Sequence, residues 1–216
     1  MKIITKISKI LLQQSCIICK QSANDTICNY CFDNLIKQLN LHKQNTDIFS
    51  FNYFYLLKYS DDVKLLLQKF KFNKDLLVTN IFAKVIKLWW DKIAEHHFAD
   101  VDAIAVVPIH RFRYVYRGFN QSEILANVLS KYTGIKTTFS NYKRIKYTKP
   151  QSKSSKHKRI TQIKGVFKLT TPIVAKHLIV FDDVLTTGAT LNEFIKTIIK
   201  GSQIEKISVI TLVRPE

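Results

Sequence analysis

Two kinds of apolar pattern alternate along the 216-residue chain. Apolar runs at 103–107, 178–181 and 207–213 are typical of parallel strands that are covered on both faces. Elsewhere, apolar residues recur three and four positions apart, as on one face of an amphipathic helix. Strands that alternate with helices indicate an α/β fold, in which helices flank a mostly parallel sheet. Helices are predicted at 32–41, 61–70 and 76–96, between Gly118 and Gly134, and at 191–199.

A loop of small residues follows the apolar run at 178–181 and leads into the predicted helix at 191–199. The loop therefore lies at the carboxyl end of a buried strand, where open α/β sheets bind ligands. It also lies at the positive end of a helix dipole, so its N–H groups and hydroxyls predict a phosphate site. The candidate phosphate-binding residues are Leu185, Thr186, Thr187, Gly188, Ala189 and Thr190.

Two adjacent acids, Asp182 and Asp183, stand between the apolar run and this loop. Carboxylates repel phosphate, but they accept hydrogen bonds from sugar hydroxyls and hold divalent cations. A sugar phosphate satisfies both the acids and the loop. The alternative interpretation is an ordinary strand, turn and helix with an acidic corner.

The stretch 178–190 resembles the signature of type I phosphoribosyltransferases that binds 5-phosphoribosyl-1-pyrophosphate (PRPP). It has the four apolar residues, the two acids and the T-T-G-A-T loop in the order of that signature. The resemblance implies a type I phosphoribosyltransferase-like fold, with ribose and Mg²⁺ at Asp182 and Asp183. It does not identify a reaction, because this fold and ligand serve several.

Two arginines come shortly after the apolar run at 103–107, which Pro108 ends. Guanidinium groups past the carboxyl end of a strand can bind the pyrophosphate of a ligand whose 5′-phosphate sits on the loop at 185–190. The candidate pyrophosphate-binding residues are Ile109, His110, Arg111 and Arg113.

All four cysteines lie close together, as two C-x-x-C pairs separated by eight residues. Two such pairs can bring four thiolates to one tetrahedral point, which is the geometry of a structural zinc site. Two disulfides, or a module that has lost its metal, are the alternatives. We expect a zinc-binding module at 1–42, a polar linker and a second domain at 48–216. The candidate ligands are Cys16, Cys19, Cys28 and Cys31.

The chain carries 34 Lys and Arg against 16 Asp and Glu, a formal net charge of +18. This excess favours a polyanionic partner, nucleic acid first and an anionic membrane surface second, unless it reflects the composition of the genome. The most basic segment is either a mobile loop over the ligand, a nucleic-acid contact or a solvated loop without a partner. Its candidate residues are Arg144, Lys149, Lys153, Lys156, Lys158 and Arg159.

Phe49, Phe51, Tyr53 and Tyr55 alternate along the chain, which predicts a strand with one aromatic face. Such a face either belongs to the core or, on a basic protein, offers a surface on which bases stack.

The segments V-P-I-H-x-x-R at 107–113 and R-G-F-N-Q-S-E-I-L-A at 117–126 resemble the ComF family. The resemblance runs from Cys16 to Arg214. It implies a phosphoribosyltransferase-like domain behind a four-cysteine zinc module, and a part in bacterial competence.

Two functions follow as hypotheses. In the first, the protein binds incoming single-stranded DNA, works with other competence proteins and carries a PRPP site, whether or not transferase activity survives. In the second, it is a metabolic phosphoribosyltransferase that transfers phosphoribosyl from PRPP to a base or amine. No apolar run approaches the ~18 residues of a membrane span, and lysines interrupt residues 1–12. We therefore expect no membrane span, an amphipathic lead-in to the cysteines and a cytoplasmic protein.

Overall fold

A five-stranded parallel sheet forms the centre of the computed structural model, which describes residues 14–48, 50–72, 77–148 and 162–215. The strand order is β3-β9-β8-β4-β5, and every neighbouring pair is parallel. The strands of this sheet are β3 (Asn52–Lys58), β4 (Ala103–Val106), β5 (Lys136–Thr137), β8 (Val174–Val184) and β9 (Gln203–Arg214). Two antiparallel pairs lie outside it: β1 (Gln14–Ser15) with β2 (Ser22–Ala23), and β6 (Tyr142–Arg144) with β7 (Phe167–Leu169).

Six helices accompany the strands in the described part of the chain. Ser60 caps the second of them, since its hydroxyl accepts a hydrogen bond from the N–H of Val63, as its position before two acids predicts. The predicted helices are confirmed, with shifts at their ends. The helices are α1 (Asn29–Ile36), α2 (Asp61–Phe72), α3 (Leu77–His97), α4 (Arg111–Arg117), α5 (Gln121–Thr133) and α6 (Ala189–Ile199).

The apolar run in β8 is buried on both faces of the sheet. Ile179 and Phe181 belong to the core under α2, α3 and α5, whereas Leu178 and Val180 belong to the core under α6 and β7. Because successive side chains of a strand point to opposite faces, a strand covered on both sides has no polar alternation. The α/β class predicted from these runs is confirmed.

The two central strands are connected in opposite directions. From β4 the chain passes through α5 to β5 on one side, and from β8 it passes through α6 to β9 on the other. The carboxyl ends of β4 and β8 therefore meet at a topological switch point, where doubly wound sheets open a crevice for ligands. The residues predicted to bind a ligand follow these two strands.

The cysteine-containing segment packs against the main body of the structure. The indole N–H of Trp89 on α3 donates to the carbonyl oxygen of Asn40 at 2.7 Å, and Lys84 pairs with Asp25 at 2.6 Å. Cys31 and Leu35 of α1 share one apolar core with α3. The boundaries 1–42 and 48–216 stay a prediction, and residues 1–13 lie outside the described residues.

The position of Tyr53 distinguishes the two interpretations of the aromatic face of β3, as part of the core or as a surface for base stacking. Its ring is buried, and its hydroxyl lies 2.9 Å from that of Thr211 on β9. This part of the face belongs to the core, where stacking on bases is excluded. Phe49 lies outside the described residues.

A buried polar network lies near the amino ends of the central strands. Nδ1 of His177 is 2.6 Å from the Asp100 carboxylate, and Nε2 is 2.8 Å from the hydroxyl of Ser208. Burial lowers the pKa of His177, so a neutral ring donates to Asp100 and accepts from Ser208. The order serine, histidine, aspartate is that of a hydrolase triad, but Ser208 is fully buried. The network therefore joins strands and is not a second active site.

Among the described residues, no helix combines the length and the apolar character that crossing a membrane requires.

Candidate functional site

The switch point holds a cavity of about 490 Å³. Its floor is the end of β8, where Asp182 and Asp183 follow the buried run. The amino ends of α5 and α6 open into it from two sides, so two helix dipoles present their positive ends to the same space. Every residue of the predicted phosphate loop lines this cavity: Leu185, Thr186, Thr187, Gly188, Ala189 and Thr190.

Gly188 shapes the loop before α6. Its φ of 69° lies in the left-handed region, which a residue with a Cβ adopts only under strain. The following turn starts at Ala189, and its first N–H groups have no partner within the helix. These donors and the threonine hydroxyls can surround a phosphate group.

Asp182 is the most perturbed acid of the site. Burial, and then the neighbouring charge of Asp183, raise the pKa of Asp182 to about 7. The Ser122 hydroxyl donates to its carboxylate at 2.9 Å, and Lys71 pairs with Asp183 at 2.7 Å. A buried carboxyl with a raised pKa is stabilised in its ionised form by a hydroxyl donor or a cation. Asp182 is therefore suited to bind either one.

Substitution of Asp182 tests this electrostatic state without any ligand. A group whose pKa is raised on folding stabilises the fold below its unfolded value near 4, and this contribution is lost as pH rises through about 7. We therefore expect D182N to be more stable than the unsubstituted chain at pH 7.5, by on the order of a few kcal/mol, and to lose most of this advantage at pH 4.5. Urea unfolding at both pH values measures the difference, and an advantage that does not change with pH would contradict the assignment.

Three arginines line the cavity without a carboxylate partner among the described residues. Arg113 and Arg117 lie four apart on α4, and Arg144 lies at the end of β6. Burial, followed by the charge of Arg113, lowers the pKa of Arg144 to about 10. Arg113 and Arg144 both bond Thr148, at 2.9 Å to its carbonyl oxygen and 2.6 Å to its hydroxyl. Partly buried cations without acids are suited to a multiply charged anion.

The predicted pyrophosphate residues divide into two groups. Ile109 and Arg113 line the cavity. His110 instead caps α4, where its Nδ1 accepts a hydrogen bond from the N–H of Phe112 at 3.2 Å, and Arg111 is exposed outside the lining. The helix that turns these side chains apart is absent from the sequence prediction, which places the arginines only by their position after the strand.

The predicted basic segment is only partly described. Arg144 lines the cavity, so its position favours the small ligand over an outer surface. Lys149, Lys153, Lys156, Lys158 and Arg159 lie outside the described residues.

Several cavity residues are missing from the sequence prediction. Gln121 and Ser122 follow the N-cap Asn120 at the start of α5, and the Nε2 of Gln121 is buried without a hydrogen-bond partner among the described residues. The helix start that Asn120 caps after Gly118 is the local signal that could have found them. Nothing in the sequence around Lys71, on α2, indicates that it reaches Asp183.

The four cysteines form a second cluster. Their sulfur atoms all lie within 4.8 Å of one another, which positions them to bind a metal ion. Burial alone would raise the pKa of Cys16, but backbone N–H groups of Cys28, Cys19 and Ile18 outweigh it and lower the pKa to about 6. Backbone donors of this kind stabilise thiolates, the form that binds metals.

Comparison with known proteins finds relatives of this chain among bacterial competence proteins. It is 31% identical over 160 residues to Competence protein F of Haemophilus influenzae, across 72% of this chain and 69% of that protein. The chain belongs to the ComF family. No protein-family model matches it.

Other relatives of this ComF-family chain agree. It is 26% identical over 161 residues to Competence protein ComFC of Streptococcus pneumoniae, across 74% of this chain and 66% of that protein. It is 32% identical over 100 residues to the DNA utilization protein YhgH of Escherichia coli, across 46% and 44% of the two chains. The ComF-like fold class expected from the resemblance, a parallel α/β sheet behind a four-cysteine group, is confirmed.

Among solved structures, an adenine phosphoribosyltransferase from Thermoanaerobacter pseudethanolicus matches 85% of this ComF-family chain and 99% of its own. The TM-score is 0.40 and the identity 11%. A likeness of this size supports no conclusion about ligand or reaction.

Proposed function

We propose that this protein acts in DNA uptake, where it binds single-stranded DNA and carries a PRPP site. The observation that carries the proposal is the cavity between β4 and β8, which combines two acids, a phosphate loop and arginines that form no ion pair with any described acid. A neutral metabolite would leave those cations unpaired in a partly buried site.

The cavity offers a partner for each part of PRPP. The loop at 185–190 would hold the 5′-phosphate, Asp182 and Asp183 the ribose hydroxyls, and Arg113 and Arg144 the pyrophosphate. The acids would also hold Mg²⁺ beside the pyrophosphate, where it supplies charge neutralisation. Nε2 of Gln121 can donate one further hydrogen bond to this ligand.

Two observations support the DNA-handling role. The relatives carry the names competence protein and DNA utilization protein. The formal net charge of +18 far exceeds what a single small anion requires and suits a polyanion. Single-stranded DNA and other competence proteins are therefore the proposed partners.

Zinc is the metal that we propose for the cysteine cluster. Four thiolates from two C-x-x-C pairs form a closed tetrahedral set, which leaves no position for a substrate and is typical of structural zinc. Free thiols at this spacing need a reducing compartment, which favours the cytoplasm.

Ligand titration by calorimetry tests the proposed site. We expect PRPP to bind in the presence of Mg²⁺, and ribose 5-phosphate and pyrophosphate each to bind more weakly, because each fills only part of the cavity. Equal affinity for pyrophosphate and PRPP would show that the acids and the phosphate loop do not contact the sugar phosphate. Absence of binding by all three compounds would refute the site.

Arg144→Gln separates stability from ligand binding. Removal of the guanidinium relieves a desolvated charge, but it also removes the hydrogen bond to Thr148 and the contact over the Phe167 ring, so we expect the free energy of unfolding to change by no more than about 1 kcal/mol. A charged hydrogen bond contributes about 1.5–3 kcal/mol, so we expect the affinity for PRPP to fall about tenfold or more. Thermal unfolding and calorimetry measure the two effects. Lys168→Gln, at the exposed position of β7, is the control, and unaltered affinity in R144Q would contradict the role of Arg144.

A metabolic phosphoribosyltransferase is the second candidate. The retained acid pair, with Lys71 bound to Asp183, favours it, because a purely structural relic has no need for charged groups at the cavity floor. Release of pyrophosphate from PRPP in the presence of a base or amine would support this candidate over a site that only binds.

A further inference from the structure

Helix α4 exposes more apolar surface than any folding role explains. It has no buried residue, and Phe112, Val115 and Tyr116 are exposed by 69%, 73% and 84%. Aromatic and β-branched residues are also mediocre helix formers, and a seven-residue helix gains little stability by itself. The helix is held by its ends instead, through the cap at His110 and the left-handed Gly118. An exposed apolar patch that contributes nothing to the core indicates a binding surface.

The side chains of α4 divide between two directions. Arg113 and Arg117, four residues apart, line the cavity. Phe112 and Tyr116, also four apart, share a neighbouring face that is open to solvent. One short helix thus offers arginines to the small-ligand site and aromatic rings to the outside.

A second segment extends the aromatic surface. The ring of Tyr147 lies 5.4 Å from that of His110 and 6.0 Å from that of Phe112, measured between centroids. Tyr147 is itself 45% exposed, and the bond from Arg113 to Thr148 ties its segment to α4. We call Phe112, Tyr116 and Tyr147 the aromatic platform.

Positive charge surrounds the aromatic platform. Arg111 is exposed on α4, and Lys146 precedes Tyr147. The sequence has no Asp or Glu between Asp102 and Glu123, and none between Glu123 and Asp182. The two segments that carry the platform therefore contribute basic side chains and no acid to this surface, which favours an acidic phosphate backbone.

We propose that the aromatic platform binds single-stranded DNA, with bases stacked on its rings and a phosphate on Arg111. This inference rests on the proposed function and names the surface that serves it. Exposed rings beside basic side chains match unpaired bases, whose flat faces are available only in a single strand. The small apolar area of α4 favours this partner over a lipid surface, because a seven-residue helix with one exposed aliphatic residue, Val115, has little to bury among acyl chains.

The test uses the full-length chain and a double variant, F112S/Y116S. Both rings are exposed and outside the core, so the variant keeps its fold, which circular dichroism checks. Val174→Ser is the control, since Val174 is 75% exposed at the amino end of β8, far along the strand from the cavity. The probe is a fluorescein-labelled (dT)20 strand, followed by anisotropy across a salt series.

We expect F112S/Y116S to bind the strand at least about tenfold more weakly than the unsubstituted chain, with an unchanged salt slope, because stacking is lost and no charge is removed. Arg111→Gln should lower the slope of log K against log salt by about 0.7, which corresponds to one phosphate contact on a single strand. V174S should bind as the unsubstituted chain does. A duplex probe should show no loss from F112S/Y116S.

Three results would overturn the proposal. Unaltered binding by F112S/Y116S, while the unsubstituted chain binds, refutes the platform and leaves the proposed function standing. Absence of binding by the unsubstituted chain at physiological salt refutes both. Loss of binding to vesicles of phosphatidylcholine and phosphatidylglycerol in F112S/Y116S, with unaltered DNA binding, assigns the platform to a lipid surface.

Discussion

The D182N/D183N variant is expected to lose affinity for PRPP by at least about 100-fold in the presence of Mg²⁺, and to remain folded. Each carboxylate that accepts a hydrogen bond or holds a cation contributes about 1.5–3 kcal/mol, and the variant removes two of them from the floor of the cavity. The fold is kept because both residues stand at the end of β8, and because neutralising Asp182 relieves a desolvated charge. Calorimetry at constant Mg²⁺ measures the affinity.

Glu205→Gln provides the matched control for this variant. Glu205 is exposed near the amino end of β9, at the opposite end of the sheet, so the same chemical change leaves the cavity intact. If D182N/D183N bound PRPP with unaltered affinity, the acids would not contact the ligand, and the assignment of the cavity to a sugar phosphate would be wrong.

Removal of the metal is expected to unfold residues 14–42 and to destabilise the rest of the chain as well. The four sulfur atoms lie within 4.8 Å of each other, so one metal ion can hold the segment together. In zinc-finger peptides, such metal binding supplies about 10–16 kcal/mol of folding free energy. The effect spreads because Cys16, Cys31 and Leu35 share the apolar core with α3. Hydrogen exchange with and without a zinc chelator measures it.

The pattern of exchange distinguishes a metal site from other uses of the cysteines. We expect rapid exchange throughout α1 and increased exchange on the face of α3 near Trp89, whereas the centre of β8 stays protected. Elemental analysis of the purified chain identifies the ion. Exchange in α1 that is insensitive to the chelator would mean that the cysteines do not hold a metal that the fold requires.

The parallel strands were predictable because burial on both faces leaves a direct trace in the sequence. The four apolar residues at 178–181 have no polar alternation, and helices with caps and apolar stripes stand between such runs. The predicted ends of α2, α3 and α5 follow from Ser60, from the spacing of apolar residues and from Gly134, all of which act locally.

Helix α4 was not predictable in the same way. Its sequence, R-F-R-Y-V-Y-R, spans only two turns, and its single apolar stripe of Phe112, Val115 and Tyr116 is too short to distinguish a helix from a loop. Its two capping contacts depend on the conformation of His110 and Gly118. The missing helix is the reason why His110 and Arg111 were expected beside Arg113. A helical turn separates neighbouring side chains by about 100° each, so only Arg113 and Arg117 face the cavity.

Local sequence also determined part of the candidate site. The acids at the end of β8 and the phosphate loop directly after it form one continuous stretch, so their position relative to the strand end is a local property. Lys71, Gln121 and Arg144 come from three other elements, and only the packing of α2, α5 and β6 around the sheet brings them together. Contacts of this kind leave no spacing in the sequence.

Binding of single-stranded DNA with and without PRPP and Mg²⁺ tests the central claim most directly. Fluorescence anisotropy of a labelled strand, across a salt series, should show tight binding that weakens steeply with salt, since the chain has a net charge of +18. PRPP with Mg²⁺ should change the affinity for the strand, because α4 contributes side chains both to the cavity and to the aromatic platform. The D182N/D183N variant should show no such change. Absence of DNA binding at physiological salt would contradict the account and leave the cavity as the site of a metabolic enzyme.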